Sequence, residues 1–322
     1  TTEIYTLSLH DALPISRKKE EIIWPNRAKN EIFYLSVKYS IPEWILRFFA
    51  KTYKMDVVEK MASSFIQNKE TTLCCLKSRA KKEEIRKELE DEQVVVRDGQ
   101  LMEKALKISN YDSLYRLKPF RDGKCTVQDE SSMLAASLSD VKKDQIVLDL
   151  CSAPGGKAIY IADELCGSGK VIARDLTEYK TDLMEDNLER IKLTNMEVQI
   201  SDARILDKQM IEKADVVIAD LPCSGLGIMG RKNDIKYHVT EESLKELASL
   251  HREILKCAVQ YVKPGGILLY STCTINPQEN EKNYQWIIEN FDYSPVDLTK
   301  ELPKNLTRSE EHTSELQSHH DL

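Results

Sequence analysis

From about residue 122 onward, the sequence alternates between short apolar segments and longer amphipathic segments of helical spacing. Each apolar segment has the length and the β-branched content of a buried strand. Such alternation predicts an α/β fold with a doubly wound, Rossmann-like parallel sheet that binds its ligands at the carboxyl ends of the strands. The predicted strands are QIVLDL (145–150), KVIARD (170–175), EVQISD (197–202), ADVVIADLP (214–222) and GGILLYSTC (265–273).

The residues before this region predict two smaller parts. Residues 17–68 carry apolar residues at helical spacing and predict a helical segment. Residues 69–121 contain two short strands around a polar helix, which predicts a small β-α-β subdomain of the ferredoxin or RNA-recognition type. The α/β region, residues 122–307, is the predicted catalytic domain.

The two ends of the chain differ from the rest. Residues 1–16 and 308–322 lack a hydrophobic period and resemble translated vector or adapter DNA, so we expect both to be non-native tails. With the second tail excluded, YSPVDL (293–298) is the sixth strand and no residues remain for a seventh. We therefore expect a truncated sheet whose edge lies open beside the fifth strand.

Composition excludes several classes of protein. The chain has 322 residues and no apolar run of the ~20 residues that a membrane span needs. Its 8 cysteines include no CxxC pair, which argues against a zinc site and favours free thiols in a cytoplasmic protein. The formal net charge of −7 argues weakly against a strongly basic nucleic-acid binder but leaves room for a local basic groove. We expect a monomer without a metal.

The segment LDLCSAPGGKA (148–158) joins the first strand of the α/β region to a helix. Its glycine pair lets the backbone approach a ligand closely, and the helix amino end favours an anionic group. The spacing matches neither GxGxxG nor the phosphate-loop motif, which disfavours NAD and ATP. A tight turn without a ligand is the alternative. The predicted binding loop consists of Cys151, Ser152, Ala153, Pro154, Gly155, Gly156 and Lys157.

Acidic residues follow successive strands. Asp175 ends the second strand, where a carboxylate can bind ribose hydroxyls, and Asp202 ends the third, where it can reach a base. Each alone is more often a cap or turn residue. Together with the loop at 151–157, they predict a nucleoside cofactor.

Two cysteines follow the fourth and fifth strands. Asp220 ends the fourth strand, where it can bond the edge of a planar base, and Cys223 comes shortly after it. Cys273 stands at the tip of the fifth strand, so both thiols should meet in one pocket. An accidental disulfide between them, or a Cys223 that merely packs as a small apolar residue, is the alternative.

Two thiols, an acid and a nucleoside cofactor suit methylation of a pyrimidine at carbon 5. That carbon is a poor nucleophile until a thiolate adds to carbon 6, after which it can attack an electrophilic methyl group. The adduct must then lose its carbon-5 proton and expel the thiolate. A second group near the first thiol would assist that release.

The motifs LDLCSAPGGK, DLPCSG and YSTCT followed by PQEN resemble those of the RNA cytosine-5 methyltransferases, a family that uses S-adenosylmethionine and two cysteines. VQDESSMLAA (127–136) and NDIKYHVTEESLKELASLHREIL (233–255) match as well, so the resemblance covers most of residues 122–290. YSIPEWILRFF and the β-α-β unit resemble the bacterial small-subunit rRNA members of the methyltransferase B, or Sun, type. In those members a NusB-like helical domain comes first, and only its last helix, within residues 17–38, would remain here.

The resemblance implies a role for each predicted site residue. Cys273 would be the nucleophile at carbon 6, and Cys223 would assist breakdown of the adduct. Asp220 would contact the cytosine ring nitrogen and border the cofactor. The implied cofactor contacts are the 151–157 loop to the methionine moiety, Asp175 to the ribose and Asp202 to the adenine end.

The implied activity is methylation of a cytosine in RNA, with small-subunit (16S) rRNA as the expected partner. A tRNA substrate is one alternative, and a catalytically idle RNA-binding assembly factor is another. The pair Cys223 and Cys273 favours an enzyme, because binding alone needs neither thiol. DNA cytosine methyltransferases fit less well, since their nucleophile lies in a PC motif after the fourth strand.

Overall fold

The computed structural model describes residues 25–67, 70–298, 302 and 316–319. The first predicted tail and most of the second lie outside these residues. Contacts between residues divide the chain into two units. The first comprises Thr1–Gln67 and Met229–His238, and the second comprises Asn68–Ile228 and Val239–Leu322.

The first unit contains three helices in its amino-terminal part, which confirms the helical prediction for the described residues. Helix α1 begins after Asn30, whose side-chain oxygen accepts a hydrogen bond from the Phe33 amide at 3.0 Å and caps the helix. The buried faces of the helices carry Leu35, Phe49 and Val58. The bounds are α1 (Glu31–Tyr39), α2 (Glu43–Ala50) and α3 (Met55–Phe65), and a short helix covers Ile235–His238.

The second unit begins with a four-stranded antiparallel sheet in the order β2-β3-β1-β4. The chain order β-α-β-β-α-β is that of the ferredoxin-like fold. The two predicted strands and their helix are present, and the sequence analysis missed β3 and β4. The small sheet continues past the predicted boundary at residue 121, since β4 pairs with β1. The bounds are β1 (Thr71–Cys75), α4 (Lys82–Asp91), β2 (Val95–Asp98), β3 (Ala105–Ser109), α5 (Lys118–Arg121) and β4 (Cys125–Val127).

The large sheet of this unit has seven strands in the order β10-β11-β9-β8-β5-β6-β7. Strands β5 to β9 pair in parallel, which confirms the predicted α/β architecture and all five predicted strands. Within the described ranges, no helix combines the length and apolarity that spanning a bilayer requires. The bounds are α6 (Glu130–Ser137), β5 (Ile146–Asp149), α7 (Gly156–Glu164), β6 (Lys170–Asp175), α8 (Glu178–Ile191), β7 (Met196–Ile200), β8 (Ala214–Asp220), α9 (Glu241–Tyr261), β9 (Val262–Ser271), α10 (Glu281–Asn290), β10 (Ser294–Pro295) and β11 (Leu316–His319).

Two salt bridges, one of them to a buried carboxylate, join the small sheet to α7. Lys104 Nζ lies 3.0 Å from the Asp163 carboxylate and 2.6 Å from that of Glu164. Asp163 is fully buried and also accepts hydrogen bonds from the Lys77 and Ser78 amides. A buried carboxylate is tolerated only when its oxygens are paired in this way, so the contact fixes the small sheet against α7.

The expectation of a missing last strand is wrong. Residues 316–319, inside the segment predicted to be foreign, form β11 between β10 and β9 and pair antiparallel with both. Gln317 lies opposite Leu269 in this register. Pairing along a sheet edge uses main-chain donors and acceptors, so a segment without a hydrophobic period can still form a strand there.

Removing residues 308–322 should therefore destabilise the second unit, because the main-chain groups at the edge of β9 lose their partners. We expect the unfolding temperature to fall by roughly 5 °C and light scattering on heating to increase through edge-to-edge association. Differential scanning calorimetry and static light scattering measure the two effects. A chain without residues 1–16 is the control, and equal unfolding temperatures for all three chains would contradict this role of β11.

Candidate active site

A cleft of about 480 Å³ opens at the carboxyl ends of β5, β8 and β9. Parallel strands end at the same edge of a sheet, so the loops that follow them meet there. The segment between β4 and α6 also lines this cleft. The polar side chains in its wall include Gln128, Ser132, Asp149, Lys157, Asp220 and Cys273.

The structure brings the two predicted cysteines together. Asp220, the last residue of β8, lies opposite Ser271, the last residue of β9, so both following loops leave the sheet at one level. The sulfur atoms of Cys223 and Cys273 lie 3.0 Å apart. The Cys273 amide also donates a hydrogen bond to the Cys223 sulfur at 3.2 Å. Neither cysteine forms a disulfide in this structure.

The environments of the two thiols differ. The hydrogen bond to Cys273 and then burial raise the pKa of the Cys223 thiol well above its usual range. Cys223 therefore stays protonated near neutral pH. Cys273 is exposed in the cleft, where a substrate can reach its sulfur. A thiolate is the reactive form of cysteine, so the exposed member of the pair is the better placed nucleophile.

Asp220 is held between a cation and a hydroxyl group. Lys157 Nζ lies 2.7 Å from Asp220 Oδ2, and the Ser271 hydroxyl donates to Oδ1 at 2.9 Å. The Lys157 ammonium also donates to Ser132 Oγ at 3.2 Å. Lys157, which the sequence analysis assigned to the cofactor loop, thus contacts the acid of the predicted base-binding site.

The loop 151–157 is fixed to the next strand. The Ser152 amide donates to the Arg174 carbonyl at 2.9 Å, and the Ala153 amide donates to Asp175 Oδ2 at 3.0 Å. Gly155 has a φ of 99°, in the left-handed region that favours glycine, and α7 starts directly after it. The loop is therefore preformed.

Asp175, the predicted ribose ligand, is almost fully buried. Besides the Ala153 amide, its carboxylate accepts hydrogen bonds from the Leu176 amide at 2.7 Å and from Lys180 Nζ at 2.9 Å. In this structure Asp175 orders the loop, and its contact with ribose stays a prediction.

Asp202 lies apart from the two cysteines. It lines a second cavity, of about 320 Å³, together with Arg174, Gln199 and Asp207. The Arg204 guanidinium binds its carboxylate at 2.6 Å, and these hydrogen bonds lower the pKa of Asp202. Its contact with the adenine end also stays a prediction.

Three buried oxygens in the wall of the cleft lack a hydrogen-bond partner among the described residues: Gln128 Oε1, Asp149 Oδ1 and Ser152 Oγ. Such groups are costly unless a ligand or water satisfies them. Burial raises the pKa of Asp149 to about 7, and the negative charge of Asp220 acts in the same direction. The wall of the cleft can therefore accept hydrogen bonds from a polar ligand.

Sequence reasoning missed Gln128, Ser132 and Ser271. The first two lie in VQDESSMLAA and the third in YSTCT, which the resemblance had quoted without roles for them. Membership of these motifs was thus the signal that the sequence offered. Which of their side chains face the cleft depends on the packing of α6 beside α7 and, for Ser271, on the pairing of β9 with β8.

Comparison with known proteins identifies relatives. The family model described as 16S rRNA methyltransferase RsmB/F matches residues 136–321. The probable ribosomal RNA small subunit methyltransferase B of Bacillus subtilis (strain 168) is 34% identical over 275 residues, which cover 84% of this chain and 61% of that protein. Ribosomal RNA small subunit methyltransferase F of Escherichia coli O139:H28 is 33% identical over 167 residues, 51% of this chain and 35% of that protein.

Solved structures of other proteins share the fold of this chain. The crystal structure of PH0851 superposes with a TM-score of 0.83 at 28% identity and covers 97% of this chain and 73% of that one. The structure of NSun6 from Pyrococcus horikoshii with SFG has a TM-score of 0.73 at 18% identity, covers 86% of this chain and 97% of that one, and supports the fold alone.

The chain spans 61% of the length of the Bacillus subtilis relative. The family match covers every described strand of the large sheet, including β11, and the loops that carry both cysteines. Because this match extends over more than half of the sequence, the chain belongs to the RsmB/F family of 16S rRNA methyltransferases.

Proposed function

We propose that this chain methylates carbon 5 of a cytosine in RNA, with 16S rRNA as substrate and S-adenosylmethionine as methyl donor. The observation that carries the proposal is the pair of sulfur atoms 3.0 Å apart, of which that of Cys273 belongs to a residue lining the same cleft as Asp220. Binding alone would need neither thiol, which disfavours an idle assembly factor. The names of the family and of its curated relatives favour rRNA over tRNA.

Cys273 is the proposed nucleophile. Its thiolate adds to carbon 6 of the cytosine, which makes carbon 5 electron-rich. Asp220 contacts the ring nitrogen. The Lys157 ammonium, whose Nζ lies 2.7 Å from Asp220 Oδ2, can supply a proton to that nitrogen as the thiolate adds. In this proposal an acid, a cation and a nucleophile surround one planar ring.

Cys223 is proposed to assist the second half of the reaction. Once carbon 5 is methylated, its proton passes to water in the open cleft. The electron pair of that C–H bond forms the double bond between carbons 5 and 6, while the bond between carbon 6 and sulfur breaks and frees the Cys273 thiolate. Cys223 stays a thiol because its pKa is raised, and it lies where it can donate a hydrogen bond to the departing sulfur. That contact favours expulsion of the thiolate.

The residues of the cleft fit the proposed methyl donor. S-Adenosylmethionine, when bound, supplies an electrophilic methyl group. The preformed loop 151–157 would hold its methionine moiety, and Asp149 Oδ1 offers a buried acceptor without a partner among the described residues. Asp175 is proposed for the ribose and Asp202 for the adenine end.

A methylation assay tests the activity. Wild-type protein should transfer labelled methyl groups to unmodified 16S rRNA, and digestion with mass spectrometry should find 5-methylcytidine. Cys273→Ala should lower the rate by about 1,000-fold or more, because the covalent route is lost. Cys166→Ala, which changes an exposed cysteine outside the cleft, is the matched control and should behave as wild type. A different methylated nucleoside, or a preference for tRNA, would contradict the proposal.

The raised pKa of Asp149 predicts a pH dependence of stability. Folding raises this pKa from 3.8 to about 7, so the folded state binds the extra proton between these values. The contribution of this bound proton to the free energy of unfolding is fully present below pH 4 and is lost as the pH rises towards 7. Relative to Asp149→Asn, wild-type protein should lose on the order of 1 kcal/mol of unfolding free energy per pH unit between pH 5 and 6, and progressively less as the pH reaches 7. Urea titrations of both proteins at pH 5, 6, 7 and 8 measure this, and a difference that does not change with pH would refute it.

A further inference from the structure

A buried carboxylate, Glu279, ties the two cysteine loops together. Glu279 follows Cys273 in the same loop and is fully buried. The Ser224 amide donates to Glu279 Oε2 at 2.8 Å, and the Ser224 hydroxyl donates to Oε1 at 2.6 Å. Ser224 is the residue directly after Cys223, so Glu279 binds the Cys223 loop from the Cys273 side.

Further hydrogen bonds complete this contact. Asn276 Nδ2 donates to Glu279 Oε1 at 2.8 Å, and Thr274 Oγ1 lies 2.6 Å from Ser224 Oγ. The single proton of the Ser224 hydroxyl goes to Glu279, so the Thr274 hydroxyl must donate to Ser224. The resulting chain of bonds runs from the neighbour of one cysteine to the neighbour of the other.

The main chains of the two loops also meet. The Gly227 amide donates to the Cys273 carbonyl at 3.1 Å. A Cβ atom at Gly227 would lie 2.9 Å from that oxygen, so a larger residue would force the loops apart. The distance between the two loops is thus determined close to the thiols.

The residue before Cys223 is held from the other side. His251, fully buried, donates from Nε2 to the Pro222 carbonyl at 2.9 Å, and its Nδ1 lies 2.8 Å from the Tyr270 hydroxyl. Tyr270 in turn donates to the Glu279 carbonyl. Both neighbours of Cys223 are therefore bound to one buried network that includes Glu279.

We propose that Glu279 is a positioning residue that keeps Cys223 within 3.0 Å of Cys273 and thereby sets the rate at which the covalent RNA adduct is released. A buried carboxylate is stable only while its hydrogen bonds are made, so it favours the arrangement with the loops in register. Glu279 bonds to the cysteine loops and acts through them. The effect on release rests on the proposed function, whereas the effect on the sulfur distance does not.

The first test needs neither RNA nor cofactor. Hydrogen peroxide oxidises two adjacent thiols to a disulfide and is itself reduced to two waters, so the rate of this reaction reports how well the sulfurs are held together. In Glu279→Gln, an NH2 group replaces one of the two carboxylate oxygens. In either orientation it faces another hydrogen-bond donor, which is the Ser224 amide in one case and Asn276 Nδ2 in the other. Formation of the Cys223–Cys273 disulfide, followed by peptide mass spectrometry, should slow about tenfold or more.

Matched variants separate this effect from general damage. Glu289→Gln changes an exposed carboxylate on α10 and should form the disulfide at the wild-type rate. Ser224→Ala removes the hydroxyl from the chain of hydrogen bonds but keeps the hydrogen bond from the main-chain amide of residue 224 to Glu279. It should therefore slow formation of the disulfide about threefold. If Glu279→Gln does not fold, the rate of disulfide formation in Ser224→Ala tests the proposal instead. Wild-type disulfide rates in folded Glu279→Gln or, failing that, in Ser224→Ala would overturn the proposal.

The second test uses RNA. With both cysteines intact, Glu279→Gln should accumulate a protein–RNA adduct on a denaturing gel about tenfold above wild type, because release slows more than addition. Loss of methylation without adduct would overturn the role in release. If wild-type protein methylates no RNA but Glu279→Gln still slows the disulfide, the proposed function fails and the positioning role of Glu279 stands.

Discussion

The parallel pairing of β8 with β9 is the contact on which the candidate site depends. Its register places Asp220 opposite Ser271, so two loops that are distant in sequence leave the sheet side by side. Val217 and Leu268, paired in this register, are almost fully buried, and each such side chain contributes about 1.5–3 kcal/mol when removed from water. The energy that forms the core thus also brings Cys223 to Cys273. A slip of one residue would turn each side chain to the other face and separate the thiols.

Much of this arrangement could be predicted from the sequence. Alternating strands and helices fix a parallel sheet, and strand ends in such a sheet share one edge, so the positions of Asp220, Cys223 and Cys273 follow from their place in the motifs. Thr240, directly before α9, caps the helix as the general preference for threonine there would have it, since its Oγ1 accepts the Ser243 amide at 3.1 Å. Local rules sufficed for these features.

Other features depend on contacts that no local rule describes. PQEN has the composition of a surface turn, yet Glu279 is fully buried because Ser224, 55 residues earlier, supplies its donors. The pairing of Lys157 with Asp220 likewise joins residues 63 positions apart. The prediction of a missing seventh strand failed for a related reason: edge pairing is made by the main chain, which side-chain periodicity does not report.

A covalent trap tests the central claim most directly, that the paired thiols act in sequence on one RNA base. Cys223→Ala protein would be incubated with S-adenosylmethionine and unmodified 16S rRNA and then run on a denaturing gel. The account predicts a stable protein–RNA band that wild-type protein does not accumulate, and loss of this band when Cys273→Ala is added. A band that persists without Cys273, or no band from a Cys223→Ala protein that still binds the RNA, would contradict it.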